Sequence, residues 1–235
     1  MPIRKPLLVN GEIYHVIIRG AGDSLVFRNN QDRFRAIFSL YEFNTTEPVE
    51  IKSQRKRRKK SKKNRDPFSD EREILVEIFT FCFMPNHIHL LLRQVKKDGI
   101  SKFIQKFGAG YVGYFNQKYE RKGPLFAKFR AVHIKTDEQL RVVFSYIHIN
   151  PTSLIEPKWK EKGINSPSRV INFLEKYKWS SYPDYLEKQN FPSLTKREFL
   201  SEVMGGKNGA KNFINDWIRH KSDKGEKETL TLLGW

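Results

Sequence analysis

His87 and His89 stand two residues apart in the run Phe81-Cys82-Phe83-Met84-Pro85-Asn86-His87-Ile88-His89-Leu90-Leu91-Leu92-Arg93. Side chains alternate faces along a β-strand, so the two imidazoles share one face while Ile88, Leu90 and Leu92 take the other. Two neutral imidazoles side by side suit a divalent cation. Two ligands are too few for a closed structural site, so a third must come from elsewhere, with positions left open for water or substrate. The same spacing also admits a plainer reading, a hydrogen-bonded pair in a polar patch.

A second stretch, Tyr146-Ile147-His148-Ile149-Asn150-Pro151, offers what the first lacks. On a helix Tyr146 and Asn150 are one turn apart on the same face, whereas His148 and Ile149 project differently. Packed beside the histidines, that helix presents an amide oxygen as third ligand and a phenol as nucleophile. Only about one phenol in a thousand is ionised at pH 7, given a pKa of about 10. A metal-bound phosphate favours the phenolate and aligns a leaving 3′ oxygen, and the product is a covalent phosphotyrosine that conserves the phosphodiester's energy. From spacing alone a packing role for Tyr146 is equally open. Tyr111, Tyr114 and Tyr119 share another helix; Tyr111 and Tyr114 lie on its apolar stripe and read as core or base-stacking residues, and only Tyr146 has an amide one turn away.

The elements that must position these residues follow from periodicity. Glu12 to Arg19 is rich in β-branched residues and reads as a strand closed by Gly20-Ala21-Gly22. Asn30 caps a helix through Phe34, Ile37, Phe38 and Tyr41. Ile74–Phe83 and His87–Arg93 form a hairpin about Met84-Pro85-Asn86, expected at the centre of the sheet. Ser101 opens a helix that Lys122-Gly123-Pro124 breaks, Phe126–Lys135 is a further strand, and Thr136 with Gln139 forms a capping box for a helix burying Leu140, Val143, Phe144 and Ile147. The order predicts an α+β domain, a mostly antiparallel sheet with helices on one face and the other face open to a long substrate. Tyr177–Tyr182 is expected to dock back on the domain. Thr195 with Glu198 is a second capping box, opening a small helical appendage at 191–235 after a domain spanning 1–190.

Composition narrows the partner. Among 235 residues 44 are Lys or Arg against 26 Asp or Glu, a formal charge of +18 that favours nucleic acid before membrane. The run Arg55–Arg65 within residues 46–72 has no apolar residue and reads as a mobile loop, either a phosphate-binding arm or a solvated insertion. Lys102, Lys106, Lys118, Arg121, Lys122, Lys128 and Arg130 are candidate contacts to a DNA backbone, though for any one of them a solvated role is the more ordinary reading. Cys82 is the only cysteine, which excludes a disulfide framework and a cysteine-based zinc site and fits a reducing cytoplasm. No apolar run reaches the roughly 18 residues of a membrane span, and Met1-Pro2-Ile3-Arg4-Lys5 lacks a signal-peptide segment. The expectation is a cytoplasmic, nucleoid-associated protein with no membrane partner.

The segments Met84–Leu91, Tyr111-Val112-Gly113-Tyr114-Phe115-Asn116 followed by Arg121–Phe126, and Tyr146–Pro151 resemble the HUH single-tyrosine transposases, and among these the REP-associated tyrosine transposases, relatives of the IS200-like insertion-sequence transposases. The likeness runs in order from about Lys5 to Tyr185. It implies a ferredoxin-like HUH nuclease fold that cuts and rejoins single-stranded DNA at a hairpin with Mg²⁺ or Mn²⁺ and no ATP. It further implies that His87 and His89 are metal ligands, that Asn150 holds the third-ligand position where relatives often have Gln, and that Tyr146 becomes linked to a DNA 5′ phosphate. The basic insertion and the tail beyond Phe191 depart from the compact family core. Two alternatives stay open: a catalytically silent binder of structured DNA or RNA, and a replication or transfer nickase of the same fold. A monomer and a homodimer, with Tyr146 serving its own or a partner's site, are both compatible with the sequence.

Overall fold

The computed structural model describes residues 7–50 and 72–223. The basic run Arg55–Arg65 and the tail beyond residue 223 lie outside the described residues. In chain order the elements are β1 (Ile13–Arg19), α1 (Asn30–Glu42), β2 (Val76–Met84), β3 (His87–Gln94), α2 (Gly99–Lys118), β4 (Arg130–Ile134), α3 (Asp137–Ile149), α4 (Trp159–Lys162), α5 (Pro167–Leu174), α6 (Tyr182–Tyr185), α7 (Glu198–Val203) and α8 (Gly206–Asp223). The protein is α+β: one four-stranded sheet, ordered β2-β3-β1-β4, antiparallel at every pairing. Its first six elements follow the βαββαβ order of ferredoxin-like domains.

Alternation builds the first core. Tyr14, Val16 and Ile18 of β1 and Ile88, Leu90 and Leu92 of β3 are buried with α1 and α2 on one face. The opposite face carries Ile13, His15 and Ile17 beside His87, His89 and Leu91. On β2 a bulge between Ile78 and Thr80 shifts the phase, so Ile78 and Phe81 face the first core while Phe79, Cys82 and Met84 face the second.

That second core corrects the expectation of helices on one face only. Phe79, Cys82, Met84 and Leu91 are apolar and require cover, and α3 supplies it through Leu140, Val143, Phe144 and Ile147. Ala210, Ile214 and Ile218 of α8 join the same cluster. The second face is therefore covered at β2 and β3, and the histidines lie beside that cover instead of on an open platform. The hairpin is also displaced from the expected centre, since β3 is interior but β2 ends the strand order. The segment Tyr177–Tyr182 lines β2's outer edge: Phe83 N donates to Trp179 O at 2.8 Å, Ser181 N to Phe81 O at 3.0 Å, and Tyr177 Oη to Phe83 O at 2.7 Å.

Two caps differ from expectation. The cap of α1 is Asn29, not Asn30: Asn29 Oδ1 accepts from Asp32 N at 3.1 Å and Asp32 Oδ2 accepts from Asn29 N at 3.3 Å. At α7 the cap position belongs to Arg197, and Thr195 Oγ1 instead accepts from Arg197 Nη1 at 2.8 Å. Thr136 does cap α3, accepting from Gln139 N at 3.2 Å, while Gln139 Oε1 accepts from Lys135 N at 2.9 Å.

Candidate functional site

His87 opens β3 directly after the Pro85-Asn86 turn, and a hydrogen bond to Asn86 fixes its ring. Asn86 Oδ1 lies 2.7 Å from His87 Nδ1. An amide oxygen only accepts, so His87 carries its proton on Nδ1 and keeps the lone pair on Nε2. Asn86 is itself tied to β1's end, where Gly20 N donates to Asn86 O at 2.7 Å. A Cβ at Gly20 would meet Ser24 O at 2.1 Å, so only glycine permits this turn.

His89 is 2 % exposed, its ring 4.8 Å from that of His87. His89 Nδ1 shares a 2.9 Å hydrogen bond with His15 Nε2, and the two rings stack at 5.1 Å. His15 and His89 are diagonal neighbours across the ladder, because β1 pairs Ile17 with His89 and His15 with Leu91. His89 Nε2 is enclosed and has no hydrogen-bond partner among the described residues. A buried imidazole nitrogen left without a partner is costly in a purely structural pair and is what a ligand position requires.

All three imidazoles are neutral at physiological pH. Burial pushes His15 down to about 3. Burial, then the charges of Arg19 and Lys160, hold His87 at about 4 against the opposing pull of Asp23. His89 is held well below the usual histidine range by burial, then by His15, His87, Lys160 and Arg19. Neutral imidazoles keep the lone pairs that a cation needs.

Tyr146 comes to this group from α3. Its ring stands 5.7 Å from His89 and 5.9 Å from His15, edge-on to both. The buried residues Val143, Phe144 and Ile147 hold that helix on the sheet, which leaves half-buried Tyr146 over the histidines. Asn150 ends α3, and its Nδ2 donates to Tyr146 O at 2.8 Å. None of the hydrogen bonds of Asn150 reaches a histidine. Among the described residues no group of three or more His, Cys, Asp or Glu is arranged to hold a metal ion. The protein thus brings His89 and His15 edge-on to a phenol, with His87 beside His89 and Asn150 Nδ2 bonded to the backbone carbonyl of Tyr146.

Tyr111, Tyr114, Tyr119 and His148 make structural contacts. Tyr111 Oη donates to Val26 O at 2.6 Å, and Tyr114 and Tyr119 donate to Asp32 at 3.0 and 2.7 Å. His148 is buried, with Nε2 2.8 Å from Ser181 Oγ.

The basic candidates divide. Lys118 Nζ donates to Asp32 Oδ1 at 2.6 Å, and Lys106 Nζ to the carbonyls of Thr45 and Glu47 at 2.5 and 2.6 Å, so both are engaged internally. Lys102 reaches Lys97 O at 3.2 Å, and Arg121 reaches Asn116 Oδ1 at 3.4 Å. Lys122, Lys128 and Arg130 are exposed. Two residues near Tyr146 escaped sequence reasoning: His15, whose signal was its place in the alternation of β1, and Lys160, for which the sequence holds no local signal.

Residues 56–150 match the sequence model of the family described as Transposase IS200 like, a segment that contains His87, His89, Tyr146 and Asn150. A solved structure described as a REP-associated tyrosine transposase bound to a REP hairpin aligns over 82 % of this chain and 90 % of its own, at 14 % identity and a TM-score of 0.49. No curated protein matches the chain.

Proposed function

We propose, from the IS200-like transposase match of residues 56–150 and the placement of Tyr146, that this chain nicks and rejoins single-stranded DNA at hairpin sites through a 5′-phosphotyrosine. One observation carries the proposal: the Tyr146 ring is 5.7 Å from His89, whose Nε2 is buried without a partner. A phenol beside two neutral imidazoles matches the residue set that phosphoryl transfer to tyrosine requires.

His87 and His89 would hold a divalent cation through their Nε2 atoms, with His89 Nδ1 donating to His15. Asn150 Oδ1, water and DNA oxygens are the proposed remaining ligands, and imidazole donors favour Mn²⁺ over Mg²⁺. When bound, the cation supplies Lewis-acid polarisation of the scissile phosphate. The protein's own part is positional. Tyr146 Oη loses its proton to solvent and bonds to phosphorus, the P–O3′ bond breaks, and the 3′ oxygen takes a proton from solvent to leave as a hydroxyl. The reverse step restores the strand. Exposed Lys122, Lys128 and Arg130 would meet the DNA backbone.

A hairpin oligonucleotide incubated with Mn²⁺ should give a protein–DNA adduct that survives denaturing electrophoresis, and Tyr146→Phe should give none. An adduct with Tyr146→Phe would refute the nucleophile. Hairpin binding that survives chelator, with no cleavage under any divalent ion, would instead favour the catalytically silent binder.

A further inference from the structure

Lys160 is presented to the phenol by an anchored turn. Trp159 is buried at 4 % exposure, its ring 5.9 Å from that of Trp217, which fixes α4 against α8. The next residue, Lys160, is exposed yet brings Nζ to 3.5 Å from Tyr146 Oη and 5.1 Å from the ring centre. Its charge also reaches His87 and His89. Lys158 and Lys162, which have no such contact with Tyr146, line a separate 470 Å³ cavity with Arg169.

We infer that Lys160 is a catalytic residue of the proposed nicking reaction, its ammonium pairing with a non-bridging oxygen of the phosphoryl group transferred to Tyr146. The inference rests on the phosphotyrosine reading and adds a residue to it. Phosphorus joined to Tyr146 Oη lies one covalent bond from that atom, and its non-bridging oxygens lie two bonds away. A cation 3.5 Å from Oη can therefore meet one of those oxygens by rotation about the Oη–P bond. Lys160 keeps its protons throughout: the phenol proton still goes to solvent, Oη–P forms, and P–O3′ breaks. Its contribution is charge placed where negative charge concentrates.

The test compares Lys160→Gln, Lys160→Arg and Lys162→Gln in the full chain. On a hairpin oligonucleotide with Mn²⁺, Lys160→Gln should form the adduct about 10- to 100-fold more slowly. Lys160→Arg should stay within about tenfold of the parent, and Lys162→Gln should match it. A second measurement needs no turnover. In the Tyr146→Phe background, adding Lys160→Gln should weaken binding of the hairpin with an ordinary scissile phosphate but not of one carrying a neutral methylphosphonate there. Parent-like adduct formation by Lys160→Gln overturns the inference and leaves the nicking activity standing. An equal binding loss on both oligonucleotides overturns it too. Absence of any adduct from the parent protein overturns both the nicking function and the role of Lys160.

Discussion

The rings of Tyr146 and His89 meet edge to face, 5.7 Å apart and at 89°. Nothing local to either residue makes this contact. Leu91 and Cys82 demand cover on the face that carries His89, α3 provides it, and the register of that packing sets where the phenol falls.

His87→Ala should lose at least tenfold in Mn²⁺ affinity by isothermal titration, with its far-ultraviolet circular dichroism unchanged. His87 stands at the strand's start and is not part of either apolar cluster. Unchanged affinity would return the histidines to a polar patch.

His15→Phe should lower Mn²⁺ affinity by about 10- to 100-fold while preserving the fold, because His15 orients His89 through the 2.9 Å hydrogen bond and a phenyl ring cannot. Equal affinity for parent and variant would show that His89 needs no such support.

His148 makes stability pH-dependent. Burial pushes it down to about 3 from an ordinary 6.5, against a smaller opposing effect of its bond to the Phe144 backbone. Between those values the unfolded chain binds one proton more than the folded protein. Stability is therefore lost as pH falls from about 6.5 towards 3, by about 1.4 kcal/mol per pH unit for each such histidine. Urea denaturation from pH 7.5 to 4.5 should show this loss, and His148→Leu should flatten the slope by one proton.

Lys118 and Lys128 should behave oppositely. Lys118 neutralises the buried carboxylate of Asp32, so Lys118→Ala should cost about 2 kcal/mol in denaturation while leaving the salt dependence of DNA binding unchanged. Lys128→Ala should leave stability within about 0.5 kcal/mol and reduce the slope of log K against log salt by about 0.7 for single strands. Binding titrations at several salt concentrations distinguish the two.

Much of this site was legible because it is written in local periods. Strand alternation put His87 and His89 on one face with Ile88, Leu90 and Leu92 opposite, and the helical turn put Tyr146 and Asn150 together. Thr136 marked the start of the helix that carries them. These depend only on backbone geometry over a few residues. What depends on contacts between distant segments was not legible. The bulge in β2 switches which residues need cover and so brings α3 onto the second face, where a single-sided layer was expected. The β1–β3 register sets His15 against His89, burial of Trp159 turns Lys160 towards the phenol, and the charge of Asp32 draws Lys118 inward. The sequence alone determined the strand and helix faces that carry the candidate chemistry. Tertiary packing decided their meeting, because register and cover are set by apolar surface buried between segments far apart in the chain.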